Sequence, residues 1–309
     1  MAQPLIEKPD AWAWPTFIKE RFPPLAHSPM IIVFALAHFL SFKTPQAPAQ
    51  TLQFFLALLF STLFFFKLRL FDEIKDYQTD LKLNPTRPLP RGILSLTQVK
   101  KMIVKIISFE ILIIILFHRL NHALSSAFFA LTAISYSFLM YKEFFIGKFL
   151  RPHLTTYAIT HTFVSVLLSL ALAMFFSPKT NPGQLILFAL SAWAYFNLFE
   201  FARKTFATSE ERQQVESYSK TFGVSGAYLL SLSQAIVGVL LYLKYIDTAP
   251  TMAFVIPVAL SHLALMLSGL GMIVLNKNEK AALATKIFRA CGGLCILSFY
   301  LGIVLSELL

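Results

Sequence analysis

The chain of 309 residues is 56% hydrophobic, has a mean hydropathy of +0.65 and carries a formal net charge of +11. That apolar content excludes an ordinary soluble domain and reads as a polytopic membrane protein. The charge does not mark a nucleic-acid binder, because its bases gather at the ends of apolar runs on one side of the chain.

Residues 1–27 mix charges with Trp12, Trp14, Pro15, Phe17 and Phe22. This is the composition of an interfacial segment and not of a cleavable signal. Residues 28–309 then hold nine apolar runs, at roughly 28–43, 51–71, 97–117, 121–141, 152–176, 183–203, 222–246, 251–275 and 285–308. Each approaches the roughly 20 residues that cross a bilayer as a helix. His38 interrupts the first. Lipid offers the backbone no partners, so every run is predicted to be helical. The expectation is one all-α domain of nine transmembrane helices. With nine spans, 23 of the 27 Lys and Arg fall on one side, leaving Lys43, Arg119, Lys179 and Lys244 on the other. The positive-inside rule then puts the N-terminus in the cytoplasm and the C-terminus outside, in the plasma membrane if the cell is bacterial.

After the second run come Asp72, Asp76 and Asp80, then Arg87 and Arg91 in a proline-rich loop. Four-residue steps on a helix keep the three carboxylates on one face. Like charges so spaced call for a cation, and hard oxygen ligands suit Mg²⁺, which commonly bridges carboxylates to phosphates. A lipid diphosphate is the expected ligand. In the fourth connection, Tyr141 and Lys142 are candidates to face it. Leu70-Phe71-Asp72-Glu73-Ile74-Lys75 recurs as Leu198-Phe199-Glu200-Phe201-Ala202-Arg203, each at the end of an apolar run. A duplicated four-helix unit would set Asp72 opposite Glu200. Within the runs, Glu110, His161, Asn197, Gln234 and His262 are costly to bury, and Glu110 is expected to pair with a neighbouring helix. Cys291 and Cys295 read as small buried apolar residues.

Asp72-Glu73-x-x-Asp76-x-x-x-Asp80 followed by Arg87-Pro88-Leu89-Pro90-Arg91-Gly92 resembles the UbiA superfamily of intramembrane prenyltransferases. That family's first motif is typically Asn-Asp-x-x-Asp-x-x-x-Asp with an Arg-Pro tail. Here Asp72 replaces the Asn and Glu73 an Asp. The second motif departs further. Glu200, Arg203, Lys204, Glu210 and Glu211 stand where aspartates are usual, before Ser217-Tyr218-Ser219-Lys220-Thr221-Phe222-Gly223.

The resemblance implies nine helices around a central cavity. It implies Mg²⁺ held by Asp72, Glu73, Asp76, Asp80, Glu200, Glu210 and Glu211, and a diphosphate bound by Arg87, Arg91, Lys142, Arg203 and Lys204. Asp72, Asp76, Asp80 and Glu200 would be catalytic. The implied reaction moves an isoprenyl group from its diphosphate to a small, aromatic acceptor within membrane lipid. An intramembrane terpene cyclase acting on the donor alone is the alternative. A transporter or non-catalytic lipid binder fits less well, because the ionisable residues crowd one face and line no path across the bilayer.

Overall fold

The computed structural model describes residues 12–44, 49–121, 124–177, 180–212, 215–276 and 279–309. Lys8, Lys179 and Lys277, counted above in the charge alternation, lie outside them, as do the first eleven residues of the interfacial segment.

The segment's remainder forms α1, Ala13–Arg21, which buries Ala13 and Phe17 against Leu70, Phe71 and Val99. Pro24 then opens α2, Pro24–Phe42, at a first-turn position where its missing N–H costs nothing. The long helices follow: α3 (Gln50–Lys75), α5 (Leu96–Asn121) and α6 (Leu124–Tyr141), with the short α4 (Tyr77–Leu83) between the first two. The predicted run 152–176 is two helices, α8 (Leu154–Thr162) and α9 (Val164–Phe176), preceded by a single turn, α7 (Gly147–Leu150). The last four are α10 (Pro182–Arg203), α11 (Tyr218–Ile246), α12 (Met252–Leu275) and α13 (Ala281–Leu308). Asn181, Ser217 and Thr251 cap α10, α11 and α12 with side-chain oxygens that accept backbone N–H bonds.

Successive helices pack on one another, and α13 returns onto α2, so the bundle closes into a ring. The helix α9 also touches α2 and α3 across its interior, and nearly all of its residues are buried. On α13, a Cβ at Gly292 would come within 2.4 Å of the Ala202 methyl, so glycine lets α13 approach the end of α10 closely.

Among the described residues, eight helices are long and apolar enough to cross a membrane, counting Leu154–Phe176 as one. The predicted third run lies in α5, whose 26 residues extend about 39 Å. Lys100, Lys101, Lys105, Glu110 and Arg119 keep it outside that count. The molecule is an all-helical, multi-pass integral membrane protein.

The polar residues flagged within the runs mostly find partners. Glu110 bonds Lys67 of α3 at 2.6 and 2.9 Å, with both side chains fully buried. Asn197 accepts from Thr162 and reaches Gln234 at 3.4 Å. His262 uses both nitrogens, on the Val258 carbonyl and the Tyr195 hydroxyl. Cys295 is buried and Cys291 half-buried, and both are free thiols.

Candidate active site between α3 and α10

The aspartate row begins on a firmly seated helix end. Leu70 and Phe71 are buried, and Phe71 stacks on Tyr141 at 4.8 Å. The helix α3 stops at Lys75. Asp76 (φ −87°, ψ −3°) makes a bend from which α4 departs, still bonding its N–H to the Asp72 carbonyl at 2.8 Å. The bend divides the row. Asp72 and Asp76 line a cavity of about 690 Å³, and Asp80 does not.

Asp80 is only 3% exposed. Both its oxygens accept from Arg87, at 2.6 and 2.5 Å, and Oδ1 also accepts from Asn84 at 2.9 Å. The expected third ligand is therefore a clamp that folds the Arg-Pro loop back onto α4. Gly92, at φ +78°, closes that loop.

The cavity joins the two motifs. Glu73, Arg87, Glu200, Arg203 and Lys204 also line it, as do Arg21 and Arg69. Glu73 is held by Arg21 and Arg69, each at 2.7 Å, and its second oxygen is buried without a partner. Glu200 gives one oxygen to Arg203 at 2.5 Å and the other to Lys204 at 2.9 Å. Asp72 meets Lys75 at 3.1 Å, and Lys75 donates to the Tyr157 hydroxyl at 3.0 Å. Bases outnumber acids around the cavity, so it favours an anion.

Asp76 is different. Among the described residues its carboxylate makes no hydrogen bond or ion pair. Burial raises its pKa above the ordinary value; Lys75 opposes that shift, and the nearby Asp72 and Asp80 add to it. An unpaired, partly desolvated carboxylate beside a second acid gains from a cation.

Besides Asp80, four expected site residues lie elsewhere. Glu210 accepts from Arg289 at 2.9 and 3.0 Å and from Thr285 at 2.6 Å, tying the turn Thr208–Glu210 to α13. The Arg289 bonds, first among these contacts, hold its carboxyl down to about 2. Glu211 accepts from Ser217 and Ser219 at the start of α11. Arg91 reaches Glu20 of α1 at 2.7 Å. Lys142 lies over the Tyr141 ring at 5.0 Å, and of the two only Tyr141 lines the cavity. Each is already engaged by a local partner that motif spacing does not reveal.

Sequence reasoning passed over Arg21, Arg69, Lys75, Tyr157 and Ser165, all on the cavity wall. Lys75 stood in the repeat as its terminal base. Arg21 gives no local signal, since it reaches Glu73 from 52 positions away.

Among the described residues no three His, Cys, Asp or Glu side chains gather to hold a metal ion by themselves. Asp72 and Asp76 nonetheless fit the habit of Mg²⁺, which takes one or two carboxylates and completes its shell with water and phosphate oxygens. The second motif does not fit, because Arg203 and Lys204 occupy both oxygens of Glu200.

No family model matches the chain, and no curated protein matches it. A solved structure of a digeranylgeranylglyceryl phosphate synthase in membranes superposes with a TM-score of 0.59 at 16% identity, covering 94% of this chain and 99% of the other. The chain therefore shares the fold of that synthase.

Proposed function

We propose that the protein is an intramembrane prenyltransferase that ionises an isoprenyl diphosphate in the cavity between α3 and α10. One observation carries this reading: two chain segments 128 residues apart bring acids and bases to a single basic cavity, where Asp76 stands unpaired. On this reading α5 also spans the membrane, as a ninth helix, and the cavity faces the cytoplasm.

Arg203 and Lys204 would contact the diphosphate oxygens with charge-assisted bonds. Arg21, Arg69 and Arg87 add positive potential from the α3 side. Asp72 and Asp76 would hold Mg²⁺, which when bound supplies charge neutralisation to the diphosphate. Fixed positive charge where negative charge develops is commonly a large catalytic contribution. It favours departure of the diphosphate with the electron pair of the allylic C–O bond. Around the rest of the wall, Phe65 stacks on Phe196 at 6.0 Å, and Phe71 and Tyr141 complete an aromatic lining. Such ring faces shield an allylic cation without capturing it.

The departure at Glu200 shapes this site. Arg203 and Lys204 leave a net positive charge where two aspartates would need a second metal. Side-chain cations thus take over part of a metal's role on the α10 wall.

The test is incubation of purified protein with Mg²⁺ and prenyl diphosphates of several lengths, with and without small acceptors, followed by product mass analysis. Diphosphate release and a prenylated product are expected. Asp76→Ala should lower turnover at least ~100-fold with folding intact. Normal turnover in that variant would sink the assignment of the site. Hydrocarbon formed from the donor alone would replace transfer with cyclisation.

A further inference from the structure

The cavity has a definite inner end. Along α3 the lining residue farthest from the acids is Phe65, and along α10 it is Phe196. Both rings are half-buried, and they stack on each other at 6.0 Å and 19°. Fully buried Phe34 of α2 meets them edge-on, at 6.0 and 5.9 Å, and also meets Tyr300 of α13 at 5.2 Å. Rings from four helices thus close the cavity on the side of α2 and α13.

The layer beyond these rings is packed. One turn along α2 from Phe34, His38 is fully buried. One of its ring nitrogens lies 2.7 Å from the Phe34 carbonyl and the other 2.6 Å from the Ser169 hydroxyl of α9. That contact ties α2 to α9, and Phe188 of α10 meets the same imidazole edge-on at 5.0 Å. The distance from the acids to the stacked pair follows from helix rise. Asp72 and Phe65 are seven residues apart on α3, about 10 Å. Glu200 and Phe196 are four apart on α10, about 6 Å. Three backbone bonds of an extended chain span about 3.4 Å, so the four bonds of one isoprene unit span about 4–5 Å. Two units fill the space between the carboxylates and the rings, whereas four units, about 18 Å, exceed it. The volume of about 690 Å³ is shared with the diphosphate and an acceptor, which leaves a long tail little room to fold back.

We infer that the stacked pair Phe65 and Phe196 is the stop that sets donor length, and that the protein takes the two-unit donor, geranyl diphosphate, in preference to longer ones. This rests on the proposed prenyl transfer and names its substrate. With the diphosphate at Asp72, Asp76, Arg203 and Lys204, the tail runs inward along α3 and α10, and its far end meets the two ring faces. A longer tail either draws the diphosphate away from the charged groups or pushes the rings off their contacts with Phe34. A packed apolar layer resists added methylenes. In an apolar pocket one excess methylene already changes discrimination by about 10- to 200-fold.

The experiment uses the purified full chain with Mg²⁺ and geranyl, farnesyl or geranylgeranyl diphosphate, each with and without small acceptors. Diphosphate release gives kcat/KM for each donor. Wild type should favour geranyl over geranylgeranyl diphosphate by about 100-fold. Phe196→Ala and Phe65→Ala should each cut that preference by about tenfold or more, through a faster reaction of the longer donor. Phe196→Leu, a gentler change, should cut it less. Phe128→Ala, at an exposed ring off the cavity, should leave the ratio as in wild type. A merely structural role lowers all three rates together and leaves their ratio alone. Comparing each variant's ratio with that of wild type also cancels the unequal partition of the donors into detergent. A wild-type preference under about tenfold, or one for the longer donors, would overturn the inference. So would a wild-type ratio in both alanine variants, with thermal unfolding showing that they fold; if neither folds, a wild-type ratio in Phe196→Leu decides the same way. No diphosphate release by wild type from any donor would instead overturn the prenyltransferase reading beneath it, and this inference with it.

Discussion

Asp76 and Asp80 show what residue type and spacing leave undecided. Both belong to the same four-residue series, yet one is an unpaired acid on the cavity wall and the other is consumed by Arg87 and Asn84. The difference arises at the bend after Lys75, a backbone feature without a glycine or proline to announce it. It has a consequence for pH. Burial raises the Asp76 pKa in the folded state, so ionisation works against folding. Metal-free protein has this contribution in full below the ordinary carboxylate range and loses it as pH rises through the raised value. Asp76→Asn should therefore raise the Tm of metal-free protein near neutral pH, by about 2–4 °C, and leave it unchanged near pH 4. Mg²⁺ with inorganic diphosphate should stabilise wild type more than the variant. Equal shifts in both proteins, followed by thermal unfolding, would remove Asp76 from the cation site.

At the scale of elements, the pairing of α3 with α5 decides how α5 is placed. Lys67 lies two turns inside the end of α3, fully buried, with its ammonium also 4.4 Å from the Phe64 ring centroid. Its partner Glu110 lies near the middle of α5. A buried ion pair costs much desolvation, and removing one partner leaves the other charge exposed to an apolar interior. Glu110→Gln should thus destabilise the protein by about 3–5 kcal/mol, while Lys67→Met with Glu110→Leu should recover most of the loss. Unfolding in detergent measures both, and an unaffected Glu110→Gln protein would mean that the pair is solvated. Glu110 was legible as a residue needing a helix partner, because an acid within an apolar run has few other options. Its partner was not, since Lys67 stands near a cluster of bases and reads as one more positive-inside anchor. The same ambiguity hid the acids of the second motif. Glu210 and Glu211 have the residue type of metal ligands, and only the fold shows Arg289, Ser217 and Ser219 already holding them.

For the whole molecule, hydropathy and the alternation of charge were enough to read an all-helical membrane bundle, because lipid leaves the backbone no other regular choice. The closing of α13 onto α2 was not legible, since it depends on side-chain fit between elements far apart in sequence. The count of spans turns on α5, which is long enough but carries five charges. Two features favour insertion. The Lys67–Glu110 contact fixes the middle of α5 at the depth of α3, and its charges Lys100, Lys101 and Lys105 gather near one end, where long side chains can snorkel to the interface. Nine spans put the two termini on opposite sides of the membrane, whereas eight put them on the same side. Reporter fusions at residues 1 and 309, one active only in the cytoplasm and one only outside it, separate the two. The expected result is a cytoplasmic N-terminus and an external C-terminus. That outcome would also place Asp72, Asp76, Arg203 and Lys204 on the cytoplasmic side, where a soluble diphosphate headgroup can reach them. Termini on one side would instead leave α5 lying against the bundle and reverse the assigned side of every loop after it, separating the two motifs that share the cavity. Because the cavity already joins them, the fusion result tests the span count and the site together.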